Sequence, residues 1–176
     1  METSTKSIAI NYGLYLGGIL SLLTVTAYAI NLDLFTKWWF GIAMMILVIV
    51  LGIMSSMKSR SSLNGFINFK GAFSSFFITV LVGIAISTIV SYVIFNVVDP
   101  DAAGILQEKI LASQVEMMRN FGAPEESIAQ VVEEMEKQEN LYSLGNILQS
   151  LAFQLVGFSI VGLIVALVVK KEDVEA

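Results

Sequence analysis

The side chains best equipped for chemistry in this sequence are carboxylates, and most of them stand between residues 99 and 140. That segment holds ten acids, among them the pair Asp99 and Asp101 and the run Glu133, Glu134, Glu136 and Glu139. Against them stand Lys109, Arg119 and Lys137, for a net charge of −7. Two kinds of chemistry suit such acids: general acid–base work by a carboxylate pair and coordination of a hard cation. The spacing favours neither. A calcium loop needs acids at alternate positions around a central glycine, whereas Glu133–Glu139 fits the solvated face of a helix, and Asp99 and Asp101 fit helix caps. Histidine and cysteine are both absent. Their absence removes the commonest general base and metal ligand, together with thiol nucleophiles, thiolate ligands and disulfides. The expectation is no catalytic residue, no metal, no cofactor and no enzymatic activity.

The elements that must position these groups are dictated by charge segregation. Hydrophobic residues make up 56% of the 176 residues and charged ones 14%, against roughly 25% charged in ordinary globular domains. Lys6 to Asp33 encloses 26 uncharged residues, Lys37 to Lys58 encloses 20, Lys70 to Asp99 encloses 28, and Glu139 to Lys170 encloses 30. A helix needs about 20 mostly apolar residues to cross the ~30 Å hydrocarbon core. Backbone polar groups find no water there, so each run must be helical. The fold class is therefore an all-α membrane protein with four transmembrane helices, about 8–30, 38–57, 73–98 and 145–169. A cytoplasmic loop 58–72, an acidic extracytoplasmic helical hairpin 99–141 and a cytoplasmic tail 170–176 complete the chain. Ala27-Tyr28-Ala29 matches the small-x-small pattern of a signal-peptide cleavage site, but the apolar stretch from Ile8 exceeds the usual 7–15 residues. The first helix accordingly reads as a span that is kept.

Sidedness follows from the basic residues. Lys58, Arg60 and Lys70 lie between the second and third spans, and Lys170-Lys171 follow the fourth. The positive-inside rule places both groups, and hence both termini, on the cytoplasmic face. Tyr28, Trp38, Trp39 and Tyr142 then cluster at the opposite interface, where amphipathic rings prefer to lie. Phe66, Phe69, Phe73, Phe76 and Phe77 share an arc of about 100° if the chain is helical from Gly65. With Lys70 reaching the headgroups, Phe66, Phe69, Lys70 and Phe73 form a candidate interfacial segment. The plainer alternative is that these rings open the third span and pack inside the bundle.

In the acidic segment, Asp99-Pro100 opens one helix and Pro124-Glu125-Glu126 another, with Gly122 at the break between them. Ile128, Val131, Val132 and Met135 make an apolar stripe on the second helix, to be matched by Leu106, Ile110, Met117 and Phe121 on the first. That pairing leaves a surplus row, Leu111, Val115 and Met118, as a candidate partner contact, with the membrane surface or another copy as alternatives.

Within the spans, small residues recur four apart: Gly13, Gly17 and Ser21 in the first, and Thr79, Gly83, Ser87 and Ser91 in the third. Such faces let helices approach closely. None of the four runs contains Asp, Glu, Lys, Arg or His, so the usual machinery of ion-coupled pumps and proton relays is missing. Asn11, Asn96, Asn146 and Gln149 lie near span ends. Gln154 is deeper and is expected to bond across the bundle, a pore-lining role being the alternative.

The stretch Gly65-Phe66-Ile67-Asn68-Phe69-Lys70-Gly71-Ala72-Phe73, followed by a span, an acidic segment with Asn-Phe-Gly-Ala-Pro-Glu-Glu at 120–126 and a last span, resembles the DUF4199 family. The resemblance covers about Ser7 to Lys171. An acidic residue often follows the lysine in that family, where this chain has Gly71. The resemblance implies a four-span bacterial membrane protein of unknown function and no particular activity. Taken with the composition, it leads to three expectations in order. The first is a non-enzymatic accessory or assembly subunit of an envelope complex in the inner membrane. An oligomeric channel or passive transporter comes second, and an envelope enzyme using the outer carboxylates third. The expected partners are the lipid bilayer and another membrane protein or a second copy, with no nucleic acid.

Overall fold

A computed structural model describes residues 2–137 and 140–171, so Glu139 and most of the 170–176 tail lie outside the described residues, as does the side chain of Glu136. The fold is all-α. Helix α1 (Glu2–Ile30) leads through a 3-10 turn (Leu32–Thr36) into α2 (Trp38–Ser62), and α3 (Phe69–Val93) runs on as a π-helical turn (Ile94–Val98). Then come α4 (Pro100–Asn120), α5 (Glu125–Lys137) and α6 (Leu144–Val169). Four helices are long and apolar enough to cross a membrane: Thr5–Ile30, Trp38–Ser62, Phe69–Val98 and Leu144–Val169. Between 22% and 33% of their most apolar stretches is buried inside the protein. The remainder exposes side chains such as Leu22, Ile46, Phe153, Ile160 and Val168. In water an apolar girdle of this extent would drive aggregation; against lipid tails it costs nothing. The chain is a membrane protein.

The helices outrun the uncharged stretches. Helix α2 continues through Lys58 and Arg60 to Ser62, and α3 begins at Phe69, so the connection is 63–68, shorter than the 58–72 loop expected from charge. The physical reason is simple: a run without charge marks what sits in hydrocarbon, whereas a helix can extend several residues into the headgroup region. The connection turns at Asn64 (φ 58°) and Gly65 (φ 88°), both left-handed. Asn68 then caps α3, its side-chain oxygen accepting from the Gly71 N–H at 2.8 Å. Across this loop lies the end of α6. Ile67 and Lys171 exchange two backbone hydrogen bonds of 2.9 Å, and the Lys171 ammonium sits 5.4 Å from the centre of the Phe66 ring. We call this the basic end of the bundle.

Helix α3 is central, packed against α1, α2 and α6. Glycines set the approach. A Cβ on Gly13 or Gly17 would come within 2.7 Å of Val82 or 2.8 Å of Ile86, and one on Gly83 within 2.5 Å of Leu16. The fully buried Phe76 ring is held between Gly52 of α2 and Gly162 of α6, where added Cβ atoms would lie 2.5 and 2.8 Å from it. At the opposite, capped end a second core forms. Ile94 and Phe95 of the π-helical turn meet Ala102, Ala103 and Leu106 of α4, with Tyr28, Leu32, Phe35 and Tyr142 around them.

Candidate functional site

Two polar assemblies occupy the bundle, one closed and one open. The closed one lies toward the basic end and consists of Ser55, Ser56 and Ser59 of α2 with Ser75 and Thr79 of α3, all 0–3% exposed. The Thr79 hydroxyl oxygen is 2.7 Å from Ser55 Oγ, 2.8 Å from the Ser75 carbonyl and 3.0 Å from the Ala9 carbonyl of α1. Ser75 Oγ donates to Ser59 Oγ at 2.9 Å, and Ser56 Oγ to the Ala72 carbonyl at 3.0 Å. A general base is missing from this group, and every hydroxyl has a partner. Its chemistry is cohesion, cross-linking three helices where backbone approach is already close. Arg60 closes the same end by donating from Nη1 to the Val169 carbonyl of α6 at 3.2 Å. No charge or motif singles these serines out in the sequence, although Gly52 and Ser56, and Ser55 and Ser59, repeat the four-residue spacing of the small residues in α1 and α3.

The open assembly is a cleft of about 640 Å³ near the capped end, a size usual for ligand pockets. Helices α2 and α6 converge on Phe76 and at Arg60 but part toward the capped end. Its walls are Phe40, Met44 and Met45 of α2 and Ile147, Leu151 and Phe158 of α6. Polar atoms come from Thr24, Ser87, Thr88, Ser91, Ser150 and Gln154, and Phe35 and Tyr142 close the top. Thr24 and Ser91 bond back to carbonyls of their own helices, at 2.9 and 3.0 Å. Thr88, Ser150 and Gln154 make no side-chain hydrogen bond among the described residues. Gln154 is the telling case. It stands ten residues into α6, roughly 15 Å along the helix axis at 1.5 Å per residue, which is half of a ~30 Å core. The expectation that it bonds across the bundle is not met. The parting of α2 from α6 leaves its amide facing the opening, and in hydrocarbon each unsatisfied polar group costs several kcal/mol.

Tyr142 forms the lid. Its ring stacks on Phe95 at 4.2 Å, Asn96 Nδ2 donates to its carbonyl at 2.8 Å, and burial pushes its phenol up to about 12. Over it, α4 is fastened once to the last turn of α1 and once to the turn that follows. The Asp99 carboxylate caps α4 at the Ala102 N–H (3.0 Å) and accepts from the Tyr28 hydroxyl (2.8 Å). Lys109 pairs with Asp33, and its ammonium holds that carboxyl below the usual range.

The other sequence-predicted positions disperse. Gly13, Gly17 and Gly83 lie in the α1–α3 contact, the Ser21 hydroxyl is buried without a partner, and Ser87 and Ser91 line the cleft. Phe69 and Phe73 pack against the main core, Phe66 lies beneath Lys171, and Lys70 is exposed. In the acidic segment Gln107 Nε2 donates to the Met135 carbonyl at 3.2 Å, which ties α4 to α5, and Leu111, Val115 and Met118 are half-buried. Leu106 and Ile110 instead turn down onto the capped end. Glu133 pairs with Lys137 at 2.6 Å along α5, and among the described residues no three acids gather as a metal site would require.

A family model described as "Protein of unknown function (DUF4199)" matches residues 11–171. No curated protein and no solved structure matches the chain.

Proposed function

Because the chain belongs to the DUF4199 family of proteins of unknown function, no activity comes with its membership, and from its own cleft we propose that it is a non-enzymatic accessory or assembly subunit of a bacterial envelope complex. It resides in the inner membrane with both termini cytoplasmic and receives a membrane helix of its partner between α2 and α6. The observation that carries this reading is the Gln154 amide, ten residues into α6 and without a side-chain hydrogen bond among the described residues, lining the cleft with Thr88 and Ser150. A partner helix with one polar side chain would satisfy that amide, and interhelical bonds of this sort are worth about 0.6–2 kcal/mol in lipid. The volume suits side chains of one inserted helix face. Sidedness is supported by Lys58, Arg60, Lys70, Lys170 and Lys171 at one end of the bundle and by Trp38 and Trp39 at the other.

The test is a photoreactive amino acid at Gln154, with Leu163 on the opposite face of α6 as reference, followed by cross-linking in native membranes and mass spectrometry. The reading requires one distinct protein, in fixed ratio, cross-linked from 154 and not from 163. Lipid adducts alone from both positions would refute it. Cross-links from 154 to a second copy would favour an oligomeric channel or passive transporter, a reading supported by the hydroxyls that line one side of the cleft. Ion or solute flux in liposomes is its own check.

A further inference from the structure

The apolar surface of α4 is only partly covered by the rest of the protein. At 3.6 residues per turn, Ala102, Ala103, Leu106 and Ile110 share an arc of about 100°, and all four are turned onto the capped end of the bundle. Met117 and Phe121 fall in that same arc farther along, yet they are 52% and 85% exposed. Helix α5 is tied to α4 outside this arc, where Gln107 donates to the Met135 carbonyl. The acids Asp101, Glu108 and Glu116 are exposed and lie outside the arc.

Direction follows from the two fastenings. Asp99 is bonded to Tyr28 in the last turn of α1, and Lys109 to Asp33 in the turn that follows, so the α4 segment is held at points ten residues apart. That spacing is roughly 15 Å of helix. A helix fixed at both ends of such a length lies across the bundle end and does not rise from it. In its remaining turns the same arc continues through Met117 and Phe121, uncovered by the bundle end. At that end Trp38 and Trp39 open α2, 77% and 49% exposed, where indole rings mark the headgroup level.

We propose that the distal turns of α4 rest on the bilayer surface and seat Met117 and Phe121 among the lipid headgroups and upper acyl chains. The occupant of this apolar face is lipid. The face continues the one that seals the bundle end, and interfacial helices bury their apolar side about 5–10 Å into the headgroup–acyl boundary. The inference rests on the four spans and not on the cleft or its partner.

The chain has no cysteine, so single cysteines at Met117, Phe121 and Ala112 can carry nitroxide labels in the full-length protein, reconstituted in phosphatidylcholine–phosphatidylglycerol liposomes. Ala112 is the reference, exposed and about 130° from the centre of the arc at 3.6 residues per turn. The readout is relaxation by oxygen, which concentrates in lipid, against a water-soluble nickel chelate. Labels at 117 and 121 should give an oxygen-to-nickel ratio several-fold above that at 112, with helical content unchanged. Nickel accessibility at 117 and 121 equal to that at 112 would overturn the proposal. So would spin–spin broadening that disappears on dilution with unlabelled protein, which would make a second copy the occupant.

Discussion

On α3, Thr79 and Thr88 stand nine residues apart, and their surroundings differ in kind. Thr79 is sealed among Ser55, Ser75 and the Ala9 carbonyl, with three oxygens within 3.0 Å. Thr88 lines the cleft beside Ser150 and Gln154 and bonds to none of them. The separating variable is backbone distance. Where glycine lets helices touch, as Gly52 and Gly162 do about Phe76, a hydroxyl reaches a neighbour. Where α2 and α6 part, the same chemistry is left open. Polar residues in a membrane bundle are thus either mortar or vacancy, and helix spacing decides which.

The comparison breaks most readily at glycine. Gly52→Leu should drive its side chain into a Phe76 ring that Gly162 prevents from moving. Overpacking of this kind costs about 1–3 kcal/mol, so the melting temperature in mild detergent should fall by several degrees. Gly41, which lines the cleft and has nothing within 4 Å of an added Cβ, should accept leucine without loss. Equal losses at both positions would mean that the two ends are packed alike.

A smaller effect is expected from polarity. Thr79→Val removes a buried hydroxyl and leaves Ser55 only its 3.5 Å bond to the Ser75 carbonyl, a loss of about 0.5–1.5 kcal/mol. Gln154→Leu removes an amide that bonds to nothing among the described residues and should leave stability unchanged or raise it. Thermal unfolding of the two variants side by side tests this, and a destabilised Gln154→Leu protein would show that the amide is used internally.

The smallest effect concerns the lid. The Asp33 carboxyl is depressed chiefly by its hydrogen bond to Lys109. A depressed carboxyl contributes stability above its unfolded value of about 3.9, and that contribution disappears as pH falls through the folded value. Melting temperatures between pH 7 and pH 3 should therefore decline at the acid end, and slightly less steeply in Asp33→Asn. A variant that follows the parent at every pH would mean that the Lys109 contact fastens nothing.

Much of the architecture could be read from the chain because hydrocarbon imposes one rule on every residue it surrounds. Four uncharged runs were enough to locate the spans, and Asp99 before Pro100 announced the cap of α4. The helix ends were less readable, since Lys58 and Arg60 continue α2 as easily as they end it. The cleft was hidden for a different reason. Gln154 attracts notice as the deepest amide, but whether it meets a neighbour depends on how far α6 leans from α2, which no local pattern encodes. The arc of Leu106, Ile110, Met117 and Phe121 was visible as one stripe. Its division between the bundle end and open surface depends on where the bundle stops.

The paired backbone hydrogen bonds between Ile67 and Lys171 have a consequence in time. The loop bearing Ile67 leaves the ribosome about a hundred residues before Lys171 does, which at 5–20 residues per second is roughly 5–20 s. Throughout that interval the loop waits without its partner strand. Only when α6 has entered the membrane and residue 171 has emerged can the two segments join, so the clasp records that the last span was threaded in the right direction.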